Sequence, residues 1–543
     1  MSGEIQFSIR FRHCKEHGTF DEPLMSIINR ICPAGRSFDT KIMVAIGILR
    51  WSFNYQRDEI KNILFSRGIS ISTGEISNLS EEFLVRFYAF HKRHIPQIKA
   101  IFEKNGGIRL HLDGTGEAGN EIVFMAKEGA TGITLDAQTI SKENKKYVKT
   151  FLQALKLVYG TPIVIVRDMS SQIRDAATDV FPGVMQQICH YHFVKNLGNL
   201  LFKTKYAAFR KKVVNKRILS QFKQKKADLC TTVSRDSENI LILAERRWII
   251  LAIEHLLICR DRSSNYPFVL PYLEIMDRIL GIKRLNKRIF EWNLSQNLDY
   301  QEIIDFSDKL EAITSSADVN AQYANIKKIW SWFEEVRTIL RVGRHLSQNG
   351  CETKTPGNAQ KMKEDLMSAL SDIENESVTR GKKLSQAAKQ ITNNCRKHAD
   401  ELFVEVIDHS GNVVEIVRDN NLEERGHRWS RMHIRRRTGR TRTTNEMTHY
   451  GALTAIFSNL ENETYVKEVF SDVNDFIREM QDITREEILK SQSLVKPYAN
   501  KQMIRSDVKR AEVLEKFVTS LEDGSSVEDW FFKLESSNPI MTP

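Results

Sequence analysis

Two long stretches of this 543-residue sequence contain no acidic residue at all, Phe193 to Ala227 and Arg425 to Arg442. In a chain of formal net charge +11, such gaps gather positive charge in two places instead of spreading it over a salt-bridged surface. The second gap holds eight arginines: Arg425, Arg428, Arg431, Arg435, Arg436, Arg437, Arg440 and Arg442. A local excess of this kind points to an acidic partner, most commonly nucleic acid. Cysteine is scarce, with seven scattered residues and no repeated C-x-x-C pairing. That argues against a disulfide framework and for a reducing compartment. Cys14 and His17 have metal-ligand spacing, but only Cys32 follows nearby and no second pair completes a zinc site. No run of about 18 apolar residues occurs, so no membrane-spanning helix and no membrane partner are expected. The opening MSGEIQFSIRFRHC lacks the apolar centre of a signal peptide, so a cytoplasmic protein is expected, or a nuclear one if the source has a nucleus.

What is present divides into blocks, and a chain of this length calls for about three or four units. The first part reads as mostly helical. Within it, Arg57–Leu84 gives a helix, a turn at Arg67-Gly68, Ile69 as a packing residue and a second helix from Ser72 or Thr73. Ser72 with Glu75 three residues on is the capping-box pattern. The pair is a helix-turn-helix candidate for DNA binding, with an ordinary helical hairpin as the alternative.

From Gly107 the texture changes. GIRLHLDGT, EIVFMAKEG and GITLDAQTIS are three strands separated by turn residues. Glu143–Tyr159 follows as a helix, with Val148, Phe151, Leu152, Leu155 and Val158 on one face. Ile163–Val166 is a buried strand running into Arg167-Asp168; a short amphipathic helix and a strand ending in Cys189-His190-Tyr191-His192 come next. The order βββ-α-β-α-β is that of a ribonuclease-H-like core, whose first and fourth strands lie side by side. Asp113 and Asp168 would then meet across the sheet. Asp228 to about Asp400 is helix-patterned, with Trp248, Trp292, Trp330 and Trp332 as core anchors. Leu402–Val417 alternates apolar and polar residues around Ser410-Gly411-Asn412, the pattern of a β-hairpin.

Phosphoryl chemistry with two metal ions needs hard oxygen ligands converging from different elements, and Mg²⁺ prefers carboxylates. Asp113 and Asp168, each ending a strand, meet part of that need. Glu424 is the third candidate, because Glu424, Arg428, Arg431 and Arg435 follow one helical face. There the carboxylate would hold metal and the arginines would neutralise phosphates. Glu446, opening a later helix, is the runner-up. Cys189 and His192 supply two ligands where structural zinc needs four, so a role in supporting the acids is preferred. Tyr191 and Phe193 are expected in the core and Lys195 toward nucleic acid.

Taken together, LHLDGT, VIVRDMS, QQICHYHFVKNLG and RDNNLEERGHRWSRMHIRRRTGR resemble the DDE transposases of prokaryotic insertion sequences. The C-x-x-H after the second Asp is similar to the signature shared with Mutator-like elements. Asn421–Glu424 resembles that group's third acidic motif, and the RR-x-TGR downstream resembles one bacterial and archaeal branch. The resemblance spans roughly residues 40–480 and departs at Asp419, where the motif has Thr. It implies an α/β fold, an RNase H-like catalytic core interrupted by a large all-α insertion, with an N-terminal helix-turn-helix-like DNA-binding module. The corresponding division is 1–105 for the N-terminal module, 106–205 and 401–485 for the core, 206–400 for the insertion and 486–543 for a helical tail. It also implies two Mg²⁺ or Mn²⁺ ions on Asp113, Asp168 and Glu424. DNA contacts would come from Lys195, Arg425, Arg428, Arg431, Arg435, Arg436 and Arg437. The implied partners are double-stranded DNA, as terminal inverted repeats and target, and further copies of the chain on that DNA, at a prokaryotic nucleoid. A non-transposing nuclease of the same fold and a catalytically inactive DNA-binding derivative are the alternatives.

Overall fold

The computed structural model describes residues 12–14, 18–20, 37–115, 121–215, 218–233, 240–258, 266–296, 301–342, 358–407, 413–418, 431–440, 443–470 and 472–495. Two short strands, β1 (Arg12–Cys14) and β2 (Gly18–Phe20), pair antiparallel at the start of the part expected to be mostly helical. The chemistry-bearing sheet has five strands: β3 (Arg109–Thr115), β4 (Ile122–Glu128), β5 (Thr134–Ile140), β6 (Val164–Arg167) and β7 (Met185–Ile188). Their order is β5-β4-β3-β6-β7. β3, β4 and β5 form an antiparallel meander, while β3–β6 and β6–β7 are parallel. The first and fourth strands of this sheet are therefore neighbours, as expected.

Strand alternation divides the sheet into two covered faces. Leu110, Leu112, Phe124 and Ile165 join the apolar cluster of the Lys145–Tyr159 and Ser171–Val180 helices, with Phe124 edge-on to Phe151 at 5.4 Å. On the other face, Val164 and Val166 pack against Val404, Val406, Val414 and Ile416. Val123 and Met125 pack there against Met447, Ala452 and Ala455 of the Thr444–Phe457 helix. Gly451 is needed at that contact, because a Cβ on it would lie 2.4 Å from the Val123 side chain. The expected hairpin at Leu402–Val417 is reduced to one bridge, Ile407 to Val413, with Leu402 ending the preceding helix. Residues 408–412 lie outside the described set.

The N-terminal helices share this core. In the Arg57–Leu84 region the helix Arg57–Phe65, the turn at Gly68 and a second helix from Thr73 are all present. Ser72 accepts the Glu75 backbone N–H at 3.1 Å, but the Glu75 carboxylate turns to Asn78 instead of closing the box. That second helix runs on to Arg93, and Phe83, Phe87 and Phe90 on it are buried against Phe457 and Phe476.

β7 ends at Ile188, four residues before the expected end of that strand. Helix starts at His190 because Phe193, Val194, Leu197 and Leu201 recur at helical spacing and bury in a second core. That core is mostly helical among the described residues, from the His190–Asn215 helix to Lys382–Leu402, with Ile188 of β7 joining it. Trp332 is buried in it and donates to Glu376 at 2.9 Å, while Trp248 and Trp330 are partly buried on its edge. The Trp292 side chain lies outside the described set. His190 fastens the start of its helix to two other helices of this core: its ring nitrogens lie 3.1 Å from the Leu340 carbonyl and 2.8 Å from the Leu402 carbonyl. Both partners are acceptors at helix C-termini, so a charged imidazole satisfies both and a neutral one only one. No described helix is long and apolar enough to cross a membrane.

His91 gives the shared core a pH signature. It is fully buried, with Tyr465 Oη and the Leu135 carbonyl each 3.2 Å from its ring, and burial pulls its pKa from 6.5 to about 4. As pH falls the unfolded chain takes up this proton first, so the stability is complete above about 6.5 and is lost down to about 4. Denaturant titrations at pH 7 and 4.5 should show His91→Gln losing less stability than wild type, by on the order of 2 kcal/mol. Equal losses would mean that His91 is not held neutral.

Candidate active site

Asp113 lies near the end of β3, and Asp168 follows β6 directly. The parallel register pairs His111 with Val166, so continuing it by two residues sets Asp113 against Asp168. Alternation directs both to the face covered by the 404–416 segment and the Thr444–Phe457 helix. Asp113 is buried, and its Oδ1 accepts the Gly114 backbone N–H at 3.0 Å. Asp168 accepts the Ser170 N–H at 2.8 Å, which shapes the turn into the Ser171–Val180 helix. Burial raises the Asp168 pKa and Asp113 adds to it; the Ser170 N–H, His192 and Arg167 oppose.

A third carboxylate joins them that the sequence reading did not single out. Glu143 precedes the Asn144 cap of the Lys145–Tyr159 helix. Burial raises its pKa first, Asp168 and Asp113 raise it further, and a Ser170 side-chain hydrogen bond lowers it. Its Oε2 would stand 3.4 Å from a Cβ placed on Gly114. Glu143 was legible only as the first residue of an expected helix; its approach to the aspartates depends on the loop from β5.

Arg167 braces this edge from beneath. It is 1% exposed and donates to Gln186 at 2.6 Å, the Asp168 carbonyl at 2.8 Å and Glu401 at 3.2 Å. The C-x-x-H pair divides. Cys189 is buried, its N–H bonded to the Arg167 carbonyl at 2.7 Å, while His192 lies within electrostatic reach of Asp168. Phe193 is buried as expected, but Tyr191 is only half-buried, stacked on Phe268 and with the Lys195 ammonium 5.5 Å from its ring centre.

Glu424, Arg425 and Arg428 lie outside the described residues. The chain on either side of them is anchored at this edge. Arg418 accepts the His190 N–H at 2.8 Å, and Arg431 Nη2 donates to Thr115 at the end of β3 at 2.8 Å. Residues 431–438 are helical. Arg435 and Arg436 on them are exposed, but Arg437, expected toward DNA, is buried. Its guanidinium stacks on Trp51 at 4.0 Å and lies 3.5 Å from Glu446. The runner-up acid Glu446 is thereby paired with Arg437.

Carboxylate oxygens crowded together, two of them with raised pKa values, are the donor chemistry that suits a hard divalent cation. Among the described residues, no group of three or more His, Cys, Asp or Glu side chains is arranged to hold a metal ion. Asp113 and Asp168 thus offer two positions, with Glu143 beside them. In EDTA at neutral pH, Asp168→Asn and Glu143→Gln should each melt a few degrees above wild type, because each removes a repelling charge while keeping the hydrogen bond. Added Mg²⁺ should raise the melting temperature of wild type more than that of Asp168→Asn. Melting at or below wild type in EDTA would contradict mutual repulsion.

A family model described as the MULE transposase domain matches residues 124–196. The match runs from β4 to the first turns of the His190–Asn215 helix. It contains Glu143, Asp168, Cys189, His192 and Lys195 and begins after Asp113. No curated protein matches the chain. The stretch around the second aspartate is therefore similar to a Mutator-like transposase domain.

Proposed function

We propose that this chain is a DNA transposase of the DDE type, cutting element ends and joining them to target DNA on an RNase H-like core. The observation that carries the reading is the convergence of Asp113 and Asp168 from adjacent parallel strands, the second of them inside a region similar to a transposase domain. A transposase domain implies DNA as the partner; terminal inverted repeats, target DNA, further copies of the chain and a prokaryotic nucleoid setting belong to the proposal.

In this reading Asp113, Asp168 and Glu424 hold two Mg²⁺ or Mn²⁺ ions. When bound, such ions supply activation of the attacking oxygen and charge stabilisation at the phosphorus. Glu424 is favoured over Glu446 because the chain flanking 419–430 is anchored at His190, just after β7, and at Thr115, at the end of the strand that carries Asp113. The charges of His192 and Arg167 oppose the rise that burial gives the Asp168 pKa, and Arg167 holds the Asp168 backbone carbonyl. Exposed Arg435 and Arg436, with Arg425, Arg428 and Lys195, neutralise backbone phosphates, and Arg431 positions its helix on β3. The N-terminal helix pair is the remaining DNA-binding candidate. The reaction is hydrolysis of a phosphodiester at the element end, freeing a 3′-hydroxyl, followed by in-line attack of that hydroxyl on target DNA.

Asp113→Ala, Asp168→Ala and Glu424→Ala should each lower Mg²⁺-dependent cleavage of DNA carrying the element ends by at least about a thousand-fold. Binding in EDTA should be retained. Glu446→Gln should still cleave. Full cleavage by all three alanine variants would refute the reading. Cleavage without strand transfer of pre-cut ends would favour a non-transposing nuclease, and metal-independent binding with no product an inactive derivative.

A further inference from the structure

A polar cavity of about 390 Å³ opens where the N-terminal helices meet the 431–438 helix, and neither Asp113 nor Asp168 lines it. Four arginines do: Arg50, Arg57, Arg437 and Arg440, against the carboxylates Asp58 and Glu446. Its walls are held before any ligand arrives. The Trp51 indole N–H donates to the Ser80 carbonyl at 2.8 Å, the Tyr450 hydroxyl to Glu81 at 2.9 Å, and Arg57 to Ser77 at 3.1 Å. Arg50 donates to the carbonyls of Tyr55 at 2.9 Å and Arg437 at 3.3 Å. Burial, then the nearby Arg437 charge, pulls the Arg50 pKa down to about 10. Guanidinium charge held out of water and in excess over carboxylate favours an incoming anion, and forked donors suit phosphate oxygens.

Beside this cavity the chain makes a strained turn. Asn54 has φ +62° and is buried, its Nδ2 bonded to the Ser52 carbonyl at 3.1 Å and paired with His433 Nδ1 at 2.8 Å. A left-handed Asn is disfavoured and persists where its surroundings hold it. The turn leaves Phe53 62% exposed and Tyr55 37% exposed, their rings 6.1 Å apart. Two aromatic rings kept in water beside a cationic cavity are the ingredients that bind an unpaired strand, because phosphates take the guanidiniums and bases stack on the rings. A duplex offers the phosphates but keeps its bases stacked inside.

We propose that this cleft binds an unpaired nucleic-acid strand, with a backbone phosphate among Arg50, Arg57, Arg437 and Arg440 and bases on Phe53 and Tyr55. The inference rests on the nucleic-acid part of the function proposed above, not on its chemistry.

Fluorescence anisotropy of the full chain in EDTA tests it, using a labelled single strand, the same strand as a blunt duplex, and sodium phosphate against sodium sulfate at matched ionic strength. The Phe53→Ala/Tyr55→Ala variant should weaken single-strand binding about ten-fold or more and duplex binding less than about two-fold. Arg57→Gln should weaken single-strand binding several-fold and reduce the slope of log affinity against log salt by about 0.7. Phe53→Leu/Tyr55→Leu, which keeps apolar bulk without aromatic faces, should behave as the alanine pair does and guards against misfolding. Wild-type single-strand affinity in both aromatic variants would overturn the proposal. So would displacement of the strand by phosphate but not by sulfate, which would assign the cavity to a free anion. Retained metal-dependent duplex cleavage alongside either result would leave the active-site reading intact; no nucleic-acid binding by wild type would remove both.

Discussion

The parallel pairing of β3 with β6 is the constraint on which the rest of the site depends. It brings two aspartates into mutual electrostatic reach although each belongs to a separate strand. Parallel strands need a crossover, and β4, β5 and the Lys145–Tyr159 helix provide it. That crossover also delivers Glu143 to the same edge. Both sheet faces are covered, so the carboxylates sit where water is reduced and repulsion is felt. Burial and like charge raise Asp168 and Glu143 together, a strain that a structural role alone would not require.

Around that edge, distant parts of the chain serve as fixed supports. Arg167, buried beneath Asp168, ties β6 to β7 and to the last turn of the Lys382–Leu402 helix. His190 bonds the carbonyls at the ends of two helices. The helical region between Asn215 and Leu402 thus returns to the sheet at the point from which it left. The 431–438 helix does the same on the other side, with Arg431 on Thr115, and His433 and Arg437 on the N-terminal turn and Trp51. The edge with the acids and the arginine-lined cleft are consequently two ends of one short helix.

Much of the sheet was legible in the sequence, for simple reasons. Turn residues separate three alternating runs, and a β-branched run before an Asp reads as a buried strand at any position. Asp113 and Asp168 could be proposed because strand order alone makes them neighbours. Other residues depended on partners far away in sequence. Arg437 reads like its neighbours in an acid-free run, yet Trp51 and Glu446 bury it. Glu75 completes a capping-box pattern by spacing, yet its carboxylate bonds Asn78. The strand expected through His192 stops at Ile188, because apolar residues downstream favour a helix that enters a second core.

Local chemistry along the chain determined the strands, the crossover helix, the long helical region after β7 and the two strand-end aspartates, since periodicity and turn residues act over a few neighbours. Tertiary structure alone decided that Glu143 stands with those aspartates, that Glu446 lies against Arg437, and that the N-terminal helices share the core of the sheet. The physical reason is the same in each case. Burial and charge depend on which surfaces meet, and the surfaces that meet here come from opposite ends of the chain.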